Sequence, residues 1–502
     1  MSVAHMACVG INLMHYISTT KIKYMREDVA TVVNTKARLP EAVPYIIGNE
    51  AAERFSFYGM RSILSTFLVA QFFNPTHNPA LTAIAEAKSN EQVHIFVSLA
   101  YIMPLLGGII ADWFLGKYTV ILYISILYSI GHLILSVATH DLSMFTVGMV
   151  VIAVSAGGIK SSVSANVGDQ FNASNQHLMS KVYGWFYFSI NSGSVLSTIF
   201  IPLLYKHYGA DVAFGVPGIL MVIATITFWL GRKKYVRVPP SGIRKENFVF
   251  ISVYYIIKLI KPIPNKTTWD AVAEKFSPES IDGVRAVYRI LMVFAFIPIF
   301  WAMWDQNLTE WVLQATKLDL TMFGYTVLPE QIQTFNPLLL LTMIPLFTYI
   351  LYPTLEKMGL RVTPLRKIGA GLLLTGLSFV VIALLQEKID AGARPSVWWQ
   401  ILAYVILSAG EVLVSITGLE YAYTQSPKSM KSTMNAIWLL TVALGNLFVA
   451  YINNSIANKG FFSKFIGADF YWLFVGILTG FLILYLLIAK KLPEKSYVNG
   501  DE

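Results

Sequence analysis

Apolar runs of about 20 residues recur along this chain, and that is the length at which a helix crosses a hydrocarbon core. They fall near residues 42–72, 92–115, 118–138, 143–168, 178–203, 212–231, 286–306, 330–353, 364–386, 396–422, 432–453 and 469–489. Apolar and polar residues do not alternate at period two, which argues against a membrane barrel. Only 13% of the 502 residues are charged, against roughly a quarter in soluble domains. The expected fold is an all-α integral membrane protein with twelve transmembrane helices.

The basic residues give this chain a direction. With the N-terminus taken as cytoplasmic, Lys and Arg total 27 on cytoplasmic segments and 7 on outer loops. Four more, Arg54, Arg61, Lys160 and Arg289, lie in or at the edge of spans. This positive-inside bias predicts both termini in the cytoplasm. The net charge of +9 therefore reflects orientation and does not point to nucleic acid. Cys8 is the single cysteine, so no intrachain disulfide is possible. Residues 7–17 are mildly apolar, but no basic residue precedes them and no clear cleavage site follows. Residues 1–40 are expected to form a cytoplasmic tail with weak helical character, and residues 491–502 a second tail.

Six runs precede Arg232 and six follow Asp282. The predicted organisation is an N-terminal six-helix bundle over 41–232, a cytoplasmic linker over 233–285 and a C-terminal six-helix bundle over 286–490. The linker holds one apolar run, Phe248 to Ile260, whose 13 residues are too few to span. It is expected to be an amphipathic helix on the membrane surface. Six plus six joined by a linker is a layout of transporters, although channels and membrane enzymes also reach twelve spans.

The first run carries the most telling chemistry. Glu50, Glu53, Arg54, Phe57, Tyr58 and Arg61 follow helical spacing and share one face. Each charge at mid-bilayer costs about 2.5–3.5 kcal/mol, so four approach roughly 10 kcal/mol. Lipid exposure of this face would cancel most of the helix's apolar gain. The face is expected to line a wet cavity or to pair with other helices. It reads either as a neutralised structural knot or as a proton and substrate site.

Other residues offer similar choices. Lys160 sits among small residues in AGGIKSSVSANVGDQF, and it either snorkels or pairs with Glu50 or Glu53. His94 and Tyr101 are seven apart on one face, and the histidine reads as a packing residue or as a proton relay. Glu411 and Ser415 are four apart in a span with no basic residue, so the carboxylate invites a ligand cation such as a peptide amine. Glu420 is expected to be structural. Asn336-Pro337 is expected to open the eighth span and free backbone carbonyls toward a cavity. Of Trp301, Trp304, Trp311 and Trp438, only Trp301 and Trp438 are expected in a pocket, the others belonging to interfacial belts. Gly108, Asp112 and Gly116-Lys117 close the second span and read as transport machinery. There is no GxxxxGK[ST], HExxH or CxxC, so gradient energy fits better than ATP hydrolysis.

Several stretches resemble a known family. Glu50-x-x-Glu53-Arg54-Phe55 followed by Ser56-Phe57-Tyr58-Gly59 resembles the first-helix signature of proton-coupled oligopeptide transporters, within the major facilitator superfamily. GGIIADWFLGKYTV and YGWFYFSINSGS resemble the family's second-helix and fifth-helix signatures. FWAMWDQ, FNPLL and AGEVLVSITGLEY resemble its helices seven, eight and ten. The resemblance covers residues 41–490. It implies a proton-coupled symporter, not an enzyme, that imports di- and tripeptides across the cell membrane by alternating access. It also implies peptide-like drugs as further ligands, the lipid bilayer as surroundings and no cofactor, with the proton gradient as energy source and no metal site.

Carried over by position, the resemblance assigns Glu50, Glu53, Arg54, Lys160 and His94 to proton coupling. It assigns Arg54, Tyr58, Tyr101, Lys160, Asn191, Trp301, Asn336, Glu411, Ser415 and Trp438 to substrate binding. Arg61 and Asp305 match an outer-side salt bridge that gates the site. Three features depart from the family. Phe57 stands where a second tyrosine is usual, the linker has no room for the two extra helices of many bacterial members, and the loop around EKIDAGARPS lacks the large outer domain of animal members. Two rival functions remain: transport of another small anion such as nitrate, and a peptide receptor that does not transport.

Overall fold

The computed structural model describes residues 39–73, 79–172, 174–242, 246–261, 263, 265–427 and 430–491. The expected helical character of residues 1–40 falls almost wholly outside them, as does nearly all of the 491–502 tail. Among the described residues, ten helices are long and apolar enough to cross a membrane, and eleven if one bent pair is counted as a span. The charged helix α1 (Val43–Leu68) is not among them. Its composition, with Glu50, Glu53, Arg54 and Arg61, lowers its hydropathy but not its helicity. Twelve spans are consistent with this count.

The chain divides into two compact units, Met1–Arg61 with Leu106–Pro240, and Ser62–Leu105 with Ser241–Glu502. Helices α1 and α2 (Pro79–Ile110) each contribute to both.

The first unit also contains α3 (Lys117–Val137), α4 (Leu142–Asp169), α5 (Met179–Tyr208) and α6 (Ala210–Leu230). Asp141 caps α4 by accepting from the backbone N–H groups of Ser143 and Met144. Small residues set the packing. A Cβ on Gly107 would lie 2.6 Å from the Cα of Gly158, so α2 and α4 touch backbone to backbone. After α6, residues 235–240 run back over the end of the unit. The Gln170 side chain bonds both backbone groups of Val236, at 2.9 and 3.2 Å. The Arg237 guanidinium lies 3.9 Å from the centroid of the Tyr118 ring. Lys117 pairs with Asp169 at 2.7 Å.

The second unit adds α7 (Phe248–Ile260), α8 (Thr268–Ala273), α9 (Pro278–Phe294), α10 (Ile297–Trp304), α11 (Glu310–Ala315), α12 (Phe335–Leu346) and α13 (Tyr352–Lys357). It ends with α14 (Pro364–Asp390), α15 (Trp398–Glu411), α16 (Thr417–Thr424), α17 (Lys431–Ala457) and α18 (Ala468–Ala489). The linker run forms a helix over the expected residues, capped by Asn247, and only Ile251 on it is buried. A two-residue hairpin pairs Thr321–Met322 with Tyr325–Thr326 around Phe323 and Gly324, both at positive φ. Positive φ at both central residues suits the right-handed twist of short hairpins.

Two expected spans differ from the structure. The second was placed at 92–115, but α2 begins at Pro79 and so includes Glu86, Lys88 and Glu91. A helix carries its backbone bonds with it, so it can continue beyond the apolar run wherever its polar side chains find partners. Here Ser65 Oγ donates to Asn90 Oδ1 at 2.9 Å, and Ser89 Oγ donates to the Ser65 carbonyl at 2.9 Å. The seventh span, placed at 286–306, begins earlier at Pro278 and is bent by 47° between α9 and α10. Pro298 in the first turn of α10 lacks an N–H to continue the α9 ladder, and its ring would clash with the carbonyl of Phe294.

Candidate functional site

In the first unit the charged face of α1 is buried. Glu50 is 2% exposed, Glu53 0% and Arg54 1%. Arg54 lies four residues after Glu50, a spacing that brings the two side chains together on a helix. Its Nε donates to Glu50 Oε1 at 2.7 Å and lies 3.1 Å from Glu53 Oε2. One guanidinium thus bridges two carboxylates. Lys160 from α4 is also buried, with Nζ 4.0 Å from the centroid of the Phe57 ring. Phe57, where the family usually has a second tyrosine, therefore offers its ring face to a cation. Close approach of α5 completes the cluster, because a Cβ on Gly193 would sit 2.8 Å from the Ala51 carbonyl oxygen. Two residues before it, Asn191 donates to the Tyr187 carbonyl at 2.8 Å, and its buried Oδ1 accepts no bond from the described residues. The Tyr58 ring meets Phe57 edge to face.

In the second unit Glu411 is 3% exposed and held by neutral donors. Trp304 Nε1 and Asn336 Nδ2 each donate to Oε2 at 2.8 Å. Asn336 Nδ2 also lies 3.1 Å from Ser408 Oγ. Immediately after Glu411 the helix widens into a π-type turn, Val412–Ile416, which holds Ser415. Such single turns recur at functional sites. A Cβ on Gly410 would come within 2.9 Å of Thr375 Oγ1 and 3.0 Å of the Gly371 carbonyl oxygen, so the α14 backbone lies directly against α15 here. Trp301 and Trp438 are both buried, their rings 6.0 Å apart and nearly perpendicular, and Trp304 extends the array 5.5 Å from Trp301.

His94 is fully buried in the same unit. Its Nδ1 lies 2.7 Å from Asn446 Oδ1, and its Nε2 lies 3.1 Å from Thr309 Oγ1 and 3.3 Å from Glu310 Oε2. Asn446 Nδ2 donates to Asp305 Oδ2 at 2.7 Å. Tyr101, two turns along α2 from His94, is 7% exposed. Arg61 belongs to the first unit and Asp305 to the second. Among the described residues, no group of three or more His, Cys, Asp or Glu side chains is placed to hold a metal ion.

A buried Glu-Glu-Arg-Lys cluster in one unit and a carboxylate held by neutral donors in the other accord with the resemblance in the sequence. The family model described as the POT family matches residues 118–471. The chain belongs to the POT family. A fruit-fly protein, Peptide transporter family 1 of Drosophila melanogaster, is 38% identical over 375 residues, 70% of this chain and 48% of that protein. Human Solute carrier family 15 member 2 is 35% identical over 403 residues, 76% of this chain and 54% of that protein. The chain thus spans about half the length of these curated relatives. Among solved structures, the POT family transporter PepTSo is 37% identical with a TM-score of 0.84, covering 91% of this chain and 99% of that one. An auto-inhibited POT family peptide transporter is 34% identical with a TM-score of 0.85, covering 92% and 99%. The fold is that of POT transporters, a mostly helical integral membrane protein of the major facilitator type.

Several details of this POT-family site correct the expectations. Trp304, assigned to an interfacial belt, donates its indole N–H to Glu411. Trp311, assigned to the same belt, is fully buried against Tyr404 and Phe379. Ser415, expected to share a face with Glu411, lies in the π-type turn that follows it, and Ser408 on the preceding turn is a serine that meets Asn336. Pro337 does not break a helix. The 3-10 turns of Pro329–Thr334 run without a break into α12, and the helix continues through Pro337 to Leu346. Glu420 pairs with Lys367 at 3.1 Å, in keeping with a structural role. Sequence reasoning missed Thr309, Glu310 and Asn446 altogether. Asn446 and Asn453 carried an available signal: two amides, seven apart, on one face of an apolar span.

Proposed function

We propose that the protein is a proton-coupled symporter that imports di- and tripeptides by alternating access, in the cell membrane and with both termini cytoplasmic. The observation that carries the reading is Arg54 bridging the buried carboxylates of Glu50 and Glu53, within a POT-family chain. A carboxylate that can trade its guanidinium partner for a proton lets proton binding alter what the helix holds. Glu50, Glu53, Arg54 and Lys160 are assigned to this exchange, and His94 to an earlier proton step. Glu411 is assigned to the peptide amine. It has only neutral donors around its Oε2, and a ligand cation supplies the charge that burial otherwise leaves uncompensated. Asn191, with its open buried Oδ1, and Asn336 are assigned to the peptide backbone. Tyr58, Tyr101, Ser415, Trp301 and Trp438 are assigned to pocket walls, and peptide-like drugs are expected to compete.

The test is uptake of labelled dialanine into proteoliposomes, with and without an imposed inward proton gradient. Accumulation above equilibrium only with the gradient supports symport. Gradient-driven uptake of nitrate in place of dialanine would assign the site to another anion, and saturable binding without uptake would make the protein a receptor.

A further inference from the structure

The second unit holds a cavity of about 860 Å³ apart from Glu411 and the tryptophan array. Its wall includes the buried polar residues Asn90, Glu310, Gln314, Gln386 and Asn453. It lies at the end of the unit formed by the start of α2, the ends of α14 and α17 and the start of α18. In the proposed orientation that end faces outside. Glu310 is the wall residue that also touches His94, through Oε2 at 3.3 Å from Nε2.

The hydrogen bonds determine which imidazole nitrogen can exchange a proton. Asn446 Nδ2 donates both to Asp305 Oδ2 and to the Val442 carbonyl, at 2.7 and 3.0 Å. Its amide is thereby oriented, and its Oδ1 is left to accept. His94 Nδ1 must therefore carry a hydrogen, which makes Nε2 the exchangeable position. Nε2 faces Thr309 and Glu310. Two turns further along α17, Asn453 repeats the device. Its Nδ2 donates to the Val449 carbonyl at 3.1 Å and to Glu310 Oε1 at 3.0 Å. Thr309 Oγ1 bonds Glu310 Oε2. Glu310 is thus held with one oxygen clamped and the other directed at Nε2. Among the described residues, the cavity around it is also lined by Glu86 of α2, Lys317 after α11, Asp390 of α14 and Tyr471 of α18, and Asp305 lies beyond Asn446. Lys317 is paired with Glu86 at 2.8 Å, and Asp390 accepts from Gln386 and from the Ala468 N–H.

We propose that Glu310 is a further proton-relay residue, taking protons from the water-accessible cavity and passing them to His94. This rests on the symport reading. The proton goes from cavity water to Glu310 Oε2 and then to His94 Nε2. That leaves a carboxylate beside an imidazolium, with Thr309 bridging them. Release of the proton inward from His94 restores the starting state.

The experiment measures gradient-driven dialanine uptake against external pH in proteoliposomes. Glu310→Gln removes the counterion of the protonated imidazole, so half-maximal uptake moves to more acid pH by about one unit or more. Counterflow exchange, which needs no net proton movement, stays measurable. A wild-type profile for Glu310→Gln overturns the proposal. If that variant does not fold, Ala83→Cys in a Cys8→Ser background places a thiol on the cavity wall. Modified there from outside, a cationic methanethiosulfonate moves the midpoint to more acid pH and an anionic one to less acid pH. Equal or absent shifts overturn the proposal. Absence of gradient-driven uptake in the unmodified protein would instead overturn the symport reading.

Discussion

Replacing Glu411 by Gln separates charge from shape at the position assigned to the peptide amine. A glutamine keeps the size of the side chain and can still accept from Trp304 Nε1 and Asn336 Nδ2, both now at 2.8 Å from Oε2. What it loses is the negative charge. A peptide ammonium about 4 Å from the carboxylate gains roughly 4 kcal/mol at an effective dielectric of about 20. An N-acetylated peptide, which brings a neutral amide, loses only the excess of a charge-assisted bond over a neutral one, about 1 kcal/mol. The difference, about 3 kcal/mol, corresponds to roughly a hundredfold. The assay is competition against labelled dialanine counterflow, comparing dialanine with N-acetyl-dialanine in wild type and Glu411→Gln. The predicted result is a loss roughly a hundredfold greater for the free amine. Equal losses for the two ligands would refute the assignment of Glu411 to the amine.

Glu53→Gln is expected to abolish gradient-driven uptake and to leave counterflow measurable, since the amide cannot exchange a proton; native-rate accumulation would remove Glu53 from the coupling step. Gly193→Val should lower thermal stability in detergent by about 1–3 kcal/mol, because the added Cβ meets the Ala51 carbonyl at 2.8 Å. An unchanged melting profile would show that α5 can retreat from α1. In the linker, hydrogen bonds from the Ser277 and Ser280 hydroxyls hold the exposed Glu246 carboxyl below the usual carboxylate range. A depressed carboxyl contributes stability above its unfolded value, and that contribution is lost as pH falls through the folded value. Ser277→Ala with Ser280→Ala should therefore move the Glu246 titration upward, read by carbon-13 NMR of labelled glutamate.

Where a span is apolar throughout, the sequence reading and the structure agree closely. The run read as Phe248 to Ile260 is helix α7 over the same residues, and the last two spans differ by only a few residues. Hydropathy fails where helicity and lipid contact part company. It missed the polar start of α2, whose side chains are satisfied by neighbours such as Ser65. It also missed the bend at Pro298, since a proline in an apolar run leaves the run apolar. The four charges of α1 were legible as a buried cluster because leaving them in lipid would cost roughly 10 kcal/mol. The neutral residues that hold a charge were not. Trp304, Ser408 and Asn446 act through hydrogen bonds to residues distant in the chain, and spacing along one helix does not report those contacts. The π-type turn after Glu411 likewise leaves no trace in residue spacing.

Coupled movement of proton and peptide is the centre of the account, and it can be read in one vesicle. Proteoliposomes loaded with a pH-sensitive dye, and clamped at an inside-negative potential, receive dialanine outside at equal starting pH. Symport predicts acidification of the lumen that begins with dialanine, scales with its uptake and is absent with nitrate. Dialanine uptake without any acidification, under a potential that draws cations inward, would contradict proton-coupled peptide transport.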